Sequence, residues 1–360
     1  MDEYYHHYGT KKVLIFGATG MLGREVVDQF QRDHGDYPYW YVRTFNDDIT
    51  NYQKVKEAVE NITPDAGKWG PDAPDVVINC AAMTNVDECE KNPQKAYAVN
   101  AVGPKNIATA CIVHNVPLFI HLSTDYVFAA GSFDGCIHPI VDTRTDTNPI
   151  NQYGLSKLAG EKAIENEYYT SRNAGLTKGE YKIIRTSRLY GKYRYNFVDY
   201  ICDVCLGRTV LDKPLDLLDG NITVPTSARA LASEIWNISN GYYHDYDAGW
   251  EKKNVLHCVN PFRTPQELPT PYDYAELICD ILEKNGLKPN RFYKKMSSNE
   301  WNKRVKREHR AVRPYSSVLE PSSPVMFEYC RGDDNHFIPY RWNESLEYYI
   351  KEKIKNGSIQ

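Results

Sequence analysis

Long hydrophobic runs are missing from this 360-residue chain: none approaches the ~20 apolar residues that a membrane-spanning helix needs. The longest early run, Val13-Leu14-Ile15-Phe16, is strand-length and follows no secretory-leader pattern. An excess of one charge is missing as well. The 43 Lys and Arg against 47 Asp and Glu leave a net charge of −4, which gives no electrostatic drive toward nucleic acid or an anionic membrane. Nine cysteines form an odd, scattered set without the spacing of a disulfide framework. There is no internal repeat and no low-complexity tract. The remaining reading is a soluble, cytoplasmic protein of ordinary globular composition, 42% hydrophobic and 25% charged, long enough for one large domain or two sharing a cleft. One excess stands out, 28 tyrosines.

The first half alternates strand and helix signals. Lys12–Phe16 reads as a strand, 24–32 as a helix, 39–44 as a strand and 52–61 as a helix. A Pro/Gly/Asp-rich loop at 64–74 precedes a third strand at 75–79, whose continuous apolar run suits burial on both faces. A helix over 93–114, a strand over 117–123, a helix over 152–168 and a strand over 181–185 complete the series. Units of this length imply a parallel sheet with helices on both faces. Beyond Leu189 the pattern loosens. Helices are expected over 196–205, 227–239, 272–285 and 344–355, and 296–313 is basic and contains Trp301.

Gly17-Ala18-Thr19-Gly20-Met21-Leu22-Gly23 follows the first strand and opens the first helix. Gly17 permits a tight turn, Gly20 lets backbone approach a pyrophosphate, and Gly23 lets helix and strand pack closely, with the helix N-terminus facing the phosphates. This context predicts an α/β fold of the Rossmann type: a doubly wound parallel sheet with a smaller C-terminal substrate-binding domain. Residues 1–190 are assigned to the dinucleotide-binding domain and 191–360 mainly to substrate binding, with parts of 220–262 returning to the sheet. Arg43, at the end of the second strand, would meet a 2′-phosphate and favours NADPH, with NADH as the alternative; a solvated surface arginine is the other reading.

Tyr153-Gly154-Leu155-Ser156-Lys157 places a phenol and an ammonium one helical turn apart on one face. A free phenol, with a pKa of about 10, is a poor proton donor and acceptor at neutral pH, and a neighbouring ammonium favours its phenolate. Asn148-Pro149-Ile150-Asn151 is a good helix start. The third member expected is a hydroxyl at the end of the strand over 118–122, where Ser123-Thr124 stands at the edge that forms the ligand crevice. Thr124 is the preferred substrate contact; Ser123 could equally pack or cap.

Together these stretches resemble the extended short-chain dehydrogenase/reductases, and within them the dTDP-4-dehydrorhamnose reductases. The resemblance runs over most of residues 12–240. It is carried by the glycine loop, Val77-Ile78-Asn79-Cys80-Ala81-Ala82-Met83-Thr84-Asn85-Val86-Asp87, Asn100-Ala101-Val102-Gly103, Ser123-Thr124-Asp125-Tyr126-Val127-Phe128, Asn151 to Glu161, Arg185 to Gly191, Asn196-Phe197 and Val224-Pro225-Thr226. Arg313-Pro314 with Ser317 and Leu319 is a weaker match.

The resemblance implies that Thr124, Tyr153 and Lys157 form the catalytic set. It implies that Thr19, Met21, Leu22, Asp48, Ile49, Cys80, Ala81, Ala82, Asn100 and Thr186 join the glycines and Arg43 at the cofactor. Thr84, Val86, Ser123, Asp125, Tyr126, Arg188, Asn196 and Arg313 would meet a nucleotide-sugar substrate. The implied reaction is hydride transfer from a nicotinamide to the 4-keto carbon of a nucleotide-linked 6-deoxyhexose, with Tyr153 as proton donor. A homodimer is common among such relatives, though nothing in the sequence marks an interface.

Arg188 departs from the pattern, since those reductases carry Trp there; an Arg could pair with a phosphate or a charged sugar substituent. Two other readings compete. A bifunctional 3,5-epimerase/4-reductase is echoed by Asn85 to Glu90, but Asp125-Tyr126 stands where epimerising relatives carry Cys. A non-catalytic NADP-binding regulatory subunit, like that of methionine adenosyltransferase, shares the glycine loop and Tyr-x-x-x-Lys. No metal is expected: Cys202-x-x-Cys205 lacks further ligands and reads as core. His6-His7 reads as part of a mobile N-terminus. The cations between Lys294 and Arg313 read equally as a solvated face or as a pyrophosphate cradle.

Overall fold

A computed structural model describes residues 11–32, 40–61, 73–128, 140–241, 253–307, 310–322 and 341–359. His6, His7 and most of the loop expected at 64–74 lie outside the described residues.

Six parallel strands form the main sheet: β1 (Lys11–Phe16), β2 (Trp40–Phe45), β3 (Val76–Asn79), β4 (Leu118–Thr124), β5 (Glu180–Thr186) and β6 (Val255–His257). Their order is β2-β1-β3-β4-β5-β6. The chain leaves β1 toward β2 and then crosses to β3 on the other side, so the strand order reverses at β1, which is where open α/β sheets take their ligands. The alternation of side chains along each strand explains the double layer. Val13 and Ile15 pack with Val26 and Phe30 of helix α1 (Met21–Gln31) on one face. Leu14 and Phe16 point the other way, into a cluster with Val55 and Val59 of α2 (Tyr52–Glu60). Both faces are covered, so β1 runs apolar without alternation from Val13 to Phe16.

The helices match the sequence expectation with informative differences. The helix expected over 93–114 is three pieces. After the short α3 (Val86–Lys91) come α4 (Pro93–Tyr97), a π-helical turn (Ala98–Val102) and α5 (Gly103–Val113). The π turn carries Asn100, consistent with the tendency of such turns to occur at functional sites. Helix α6 (Gln152–Asn173) runs beyond the expected end at 168, and α5 and α6 contribute Ile107, Cys111, Ile164 and Tyr168 to the same cluster as α2.

The second half builds its own core. Helices α7 (Phe197–Cys205), α9 (Pro271–Lys284) and α11 (Trp342–Lys355) gather Ile201, Ile278, Leu282, Leu346 and Ile350. A short parallel pair, Leu215–Leu218 with Tyr293–Met296, had no distinct sequence signal and leads into α10 (Ser298–Arg307). Helix α8 (Ala228–Asn240) goes back to the sheet: Leu231 and Ile235 join Val13 and Ile15, and β6 pairs with β5. Among the described residues no helix is long and apolar enough to cross a membrane.

Candidate active site

The glycine loop is shaped by contacts that a side chain would break. Gly17 sits at φ +73°, in the left-handed region. A β-carbon on Gly23 would lie 2.2 Å from the Gly17 carbonyl oxygen, so α1 can pack this close to β1 only without one. Gly23→Ala is expected to cost about 1–3 kcal/mol through overpacking, read as a lower Tm in thermal denaturation. An unchanged Tm would show that the loop has room to shift.

Leu22 is buried, while Thr19 is exposed and Met21 half-buried at the helix start. The Gly17 turn abuts the backbone of Cys80 and Ala81 after β3, so the loop and the strand end share one crevice with half-buried Cys80, Ala81 and Ala82. Burial pushes the Cys80 thiol up to about 12, which keeps it protonated. On the β2 side, Arg43 is half-buried opposite Leu14. The exposed Asp48 carboxylate accepts from the Thr50 backbone and hydroxyl, both at 2.8 Å, and buried Ile49 packs against Gly103.

The proposed chemistry gathers at the carboxyl end of β4. Thr124 ends that strand opposite Thr186 of β5, and the turn Asp125–Val127 follows it. The Tyr153 ring meets the Tyr126 ring edge-on with centroids 5.8 Å apart, and the Tyr153 phenol hydrogen-bonds with the Thr124 hydroxyl. Asn151 fixes the start of α6: its side chain accepts from the Gly154 N–H at 2.9 Å and donates to the Val312 carbonyl at 2.9 Å. Tyr153 and Lys157 therefore share a face, as the spacing predicts.

Their electrostatics differ from the simple expectation of a phenol activated by an ammonium. Burial raises the Tyr153 pKa, and the main opposing influence is the Thr124 hydrogen bond. The Lys157 Nζ donates to the Leu122 carbonyl at 2.6 Å and lies 3.3 Å from His121 Nε2. Burial lowers Lys157 to about 8, against the opposing pull of Glu161. At neutral pH the site thus holds a protonated phenol beside a weakened ammonium.

Several residues expected at the substrate are committed elsewhere. The Ser123 hydroxyl donates to Glu161, whose carboxylate is held by Arg185 through 3.0 and 2.6 Å bonds. Asp125 is buried, and its carboxylate accepts from Thr124, Thr223 and Ser317 at 3.0, 2.9 and 2.6 Å. It ties the end of β4 to the C-terminal half through Thr223 and Ser317. Asn196 caps α7, and its amide donates to the Gly191 and Arg194 carbonyls and to Tyr349. Asn100 exchanges bonds with Met83 and donates to Ser156 at 3.0 Å, bracing the 80–86 segment against α6.

Thr84 is exposed, and Val86 begins α3 behind the Asn85 cap. Arg188 has φ +29°, a strained value for a residue with a side chain. Its guanidinium donates to Asn221 Oδ1 at 2.7 Å and lies over the Phe197 ring at 5.1 Å. Arg313 and Arg310 both pair with Asp87, while Lys294 and Arg304 pair with Asp216. These cations of the basic 294–313 stretch are thus matched by carboxylates within the chain. Cys202 and Cys205 are buried in α7, and Cys205 Sγ lies 2.8 Å from Cys279 Sγ. No cluster of three or more His, Cys, Asp and Glu side chains among the described residues could hold a metal ion.

Sequence reasoning missed His121, Asp87 and the Glu161–Arg185 pair as parts of this site. Glu161 and Arg185 stood in the resembling stretches without a role, and His121 reads as one more residue of a buried strand.

Comparison with known proteins places this geometry. The RmlD substrate binding domain profile matches residues 11–353. A dTDP-4-dehydrorhamnose reductase of Mycolicibacterium smegmatis is 38% identical over 251 residues, covering 69% of this chain and 64% of that relative. The crystal structure of a dTDP-4-dehydrorhamnose reductase from Clostridium acetobutylicum superposes with a TM-score of 0.66 at 31% identity, covering 95% of this chain and 99% of that one. The Bacillus anthracis dTDP-4-dehydrorhamnose reductase, solved in complex with NADP, gives a TM-score of 0.67 at 26% identity, again covering 95% and 99%. Because the profile runs from the first strand of the sheet into its last helix, the chain belongs to the RmlD substrate binding domain family, within the extended short-chain dehydrogenase/reductases.

Proposed function

We propose that this protein is an NADPH-dependent reductase of the 4-keto group of a nucleotide-linked 6-deoxyhexose, of the dTDP-4-dehydrorhamnose reductase type. The observation that carries the reading is the meeting of Thr124, Tyr153 and Lys157 at the carboxyl ends of β4 and α6's first turns, beside the glycine loop. The residues fit a dinucleotide. A β-carbon at Gly17 or Gly23 would collide with neighbouring backbone, which keeps the loop tight between β1 and α1, and buried Thr186 Oγ1 has no hydrogen-bond partner. Such an orphaned hydroxyl at a strand end suits a polar group of the cofactor.

Bound NADPH supplies the hydride. The chain's own residues manage the charge that the transfer creates. Tyr153, protonated at neutral pH, gives its proton to the developing alkoxide. Thr124 has one hydroxyl proton and two claimants, Asp125 Oδ1 at 3.0 Å and the Tyr153 oxygen. Once Tyr153 becomes a phenolate, the Thr124 hydroxyl turns toward it and stabilises it, as an oxyanion-hole donor would. Charged Lys157 adds an attractive field one helical turn away.

The test is NADPH oxidation with dTDP-4-dehydrorhamnose and its UDP counterpart. Turnover supports the reading; tight NADPH binding without turnover of any 4-keto sugar overturns it. Arg43→Ala is expected to weaken NADPH about ten-fold or more while leaving NADH nearly unchanged, since a hydrogen bond to a charged group contributes ~1.5–3 kcal/mol. Equal losses for both cofactors would remove Arg43 from the 2′-phosphate.

A further inference from the structure

Behind the catalytic lysine, four polar groups in a line admit one consistent placement of hydrogens. The Ala81 N–H donates to Asn79 Oδ1 at 3.0 Å, which turns the Asn79 amide nitrogen toward His121 Nδ1 at 3.1 Å. An amide nitrogen has only protons to give, so His121 Nδ1 must accept. His121 is fully buried, and burial together with Lys157 holds its pKa well below the usual histidine range. The ring is therefore neutral with its single proton on Nε2.

That Nε2 lies 3.3 Å from Lys157 Nζ. Facing an ammonium, it sets donor against donor. Facing an amine, it finds a lone pair, and the amine still keeps an N–H on the Leu122 carbonyl. The other groups around Lys157 do not reverse this preference. Glu161, on the same helix, is neutralised by Arg185 of β5 and bonded by Ser123 of β4. Cys80, after β3, stays a thiol, and Tyr153 stays a phenol. Asn100 and Ser156 are neutral and bonded to each other.

We propose that His121, locked in its Nε2–H tautomer by Asn79, is a positioning residue that biases Lys157 toward its uncharged form and so sets the pH range of the reaction. The proposal rests on reading Tyr153 and Lys157 as the catalytic pair. It also links the glycine loop to the lysine, because Ala81, which anchors Asn79, packs against Gly17.

The first test needs no activity. Nitrogen NMR of the full-length protein labelled at histidine, with the His121 signal assigned by its loss in His121→Phe, should show Nε2 protonated and Nδ1 bare from about pH 6 to 9. A protonated Nδ1 would overturn the proposal. The second test reverses the hydrogen-bond direction. In Asn79→Asp a carboxylate accepts from Nδ1–H, leaving Nε2 bare to accept from the ammonium. The basic limb of the kcat/KM profile, where Lys157 loses its charge, should move up by about one pH unit or more. In the Asn79→Asp, His121→Phe double variant this movement, measured against His121→Phe alone, should largely vanish. An equal movement with and without His121 would show simple charge attraction and defeat the idea. Failure of the catalytic reading is seen separately, as full turnover in Tyr153→Phe, and leaves the tautomer unaltered.

Discussion

Tyr153→Phe is expected to lower kcat for keto-sugar reduction by about 10²–10⁴-fold while the NADPH dissociation constant changes by less than about two-fold. The split follows from where the hydroxyl sits. Its hydrogen bond is to Thr124 and its ring packs on Tyr126, so removing one oxygen leaves the ring contact intact and takes away the proton donor. An alkoxide left to collect its proton from water loses the contribution of a positioned acid. Stopped-flow reduction with saturating NADPH separates chemistry from binding. A parallel loss of NADPH affinity and rate would mean that Tyr153 holds the cofactor rather than the proton.

Glu161→Ala is expected to destabilise the fold by about 3–5 kcal/mol, lowering Tm by roughly 10 °C, because it strands a buried guanidinium. Glu161 is 0% exposed and Arg185 is 4% exposed. The two form a bidentate pair, and the guanidinium also lies 5.1 Å over the Phe128 ring. Once the carboxylate is gone, Arg185 Nη1, already without a partner, is joined by Nε and Nη2. Replacing both members together, as in Glu161→Leu with Arg185→Met, should recover much of the loss, since a buried ion pair contributes little net stability over an apolar pair of similar volume. Calorimetry on the single and double variants decides this. A single variant as stable as the parent would show that water reaches the pair. Activity should fall with stability, because Ser123, which leans on Glu161, immediately precedes Thr124.

Much of the site was legible before the fold was known. A glycine loop at the first strand–helix junction and a Tyr-x-x-x-Lys after the fourth core strand are local patterns, set by the turn that a strand needs to enter a helix and by the 3.6-residue period. For Ser123, Asp125 and Asn196 the resemblance implies substrate contacts, with packing or capping the other reading of Ser123. Their side chains instead serve Glu161, a trio of hydroxyls and a helix cap. Adjacency in sequence does not tell which way a short polar side chain turns. The tyrosines divide similarly. Tyr153 stands out by its spacing to Lys157, whereas Tyr168, Tyr190 and Tyr274 are fully buried core residues, and Tyr349 bonds the Gly191 carbonyl and Asp199.

The sequence by itself determined the alternating strand–helix order, the dinucleotide loop and the phenol–ammonium pair, because each depends on residues within a few positions of one another. Only the tertiary structure decided what stands behind that pair. Two residues along a strand advance ~6.6 Å and four along a helix ~6 Å, so a strand packed beside a helix matches every second residue to every fourth. On β4 and α6 that match sets His121 against Lys157 and Ser123 against Glu161. These partners lie 36 and 38 residues apart, and no spacing rule within either element could have joined them.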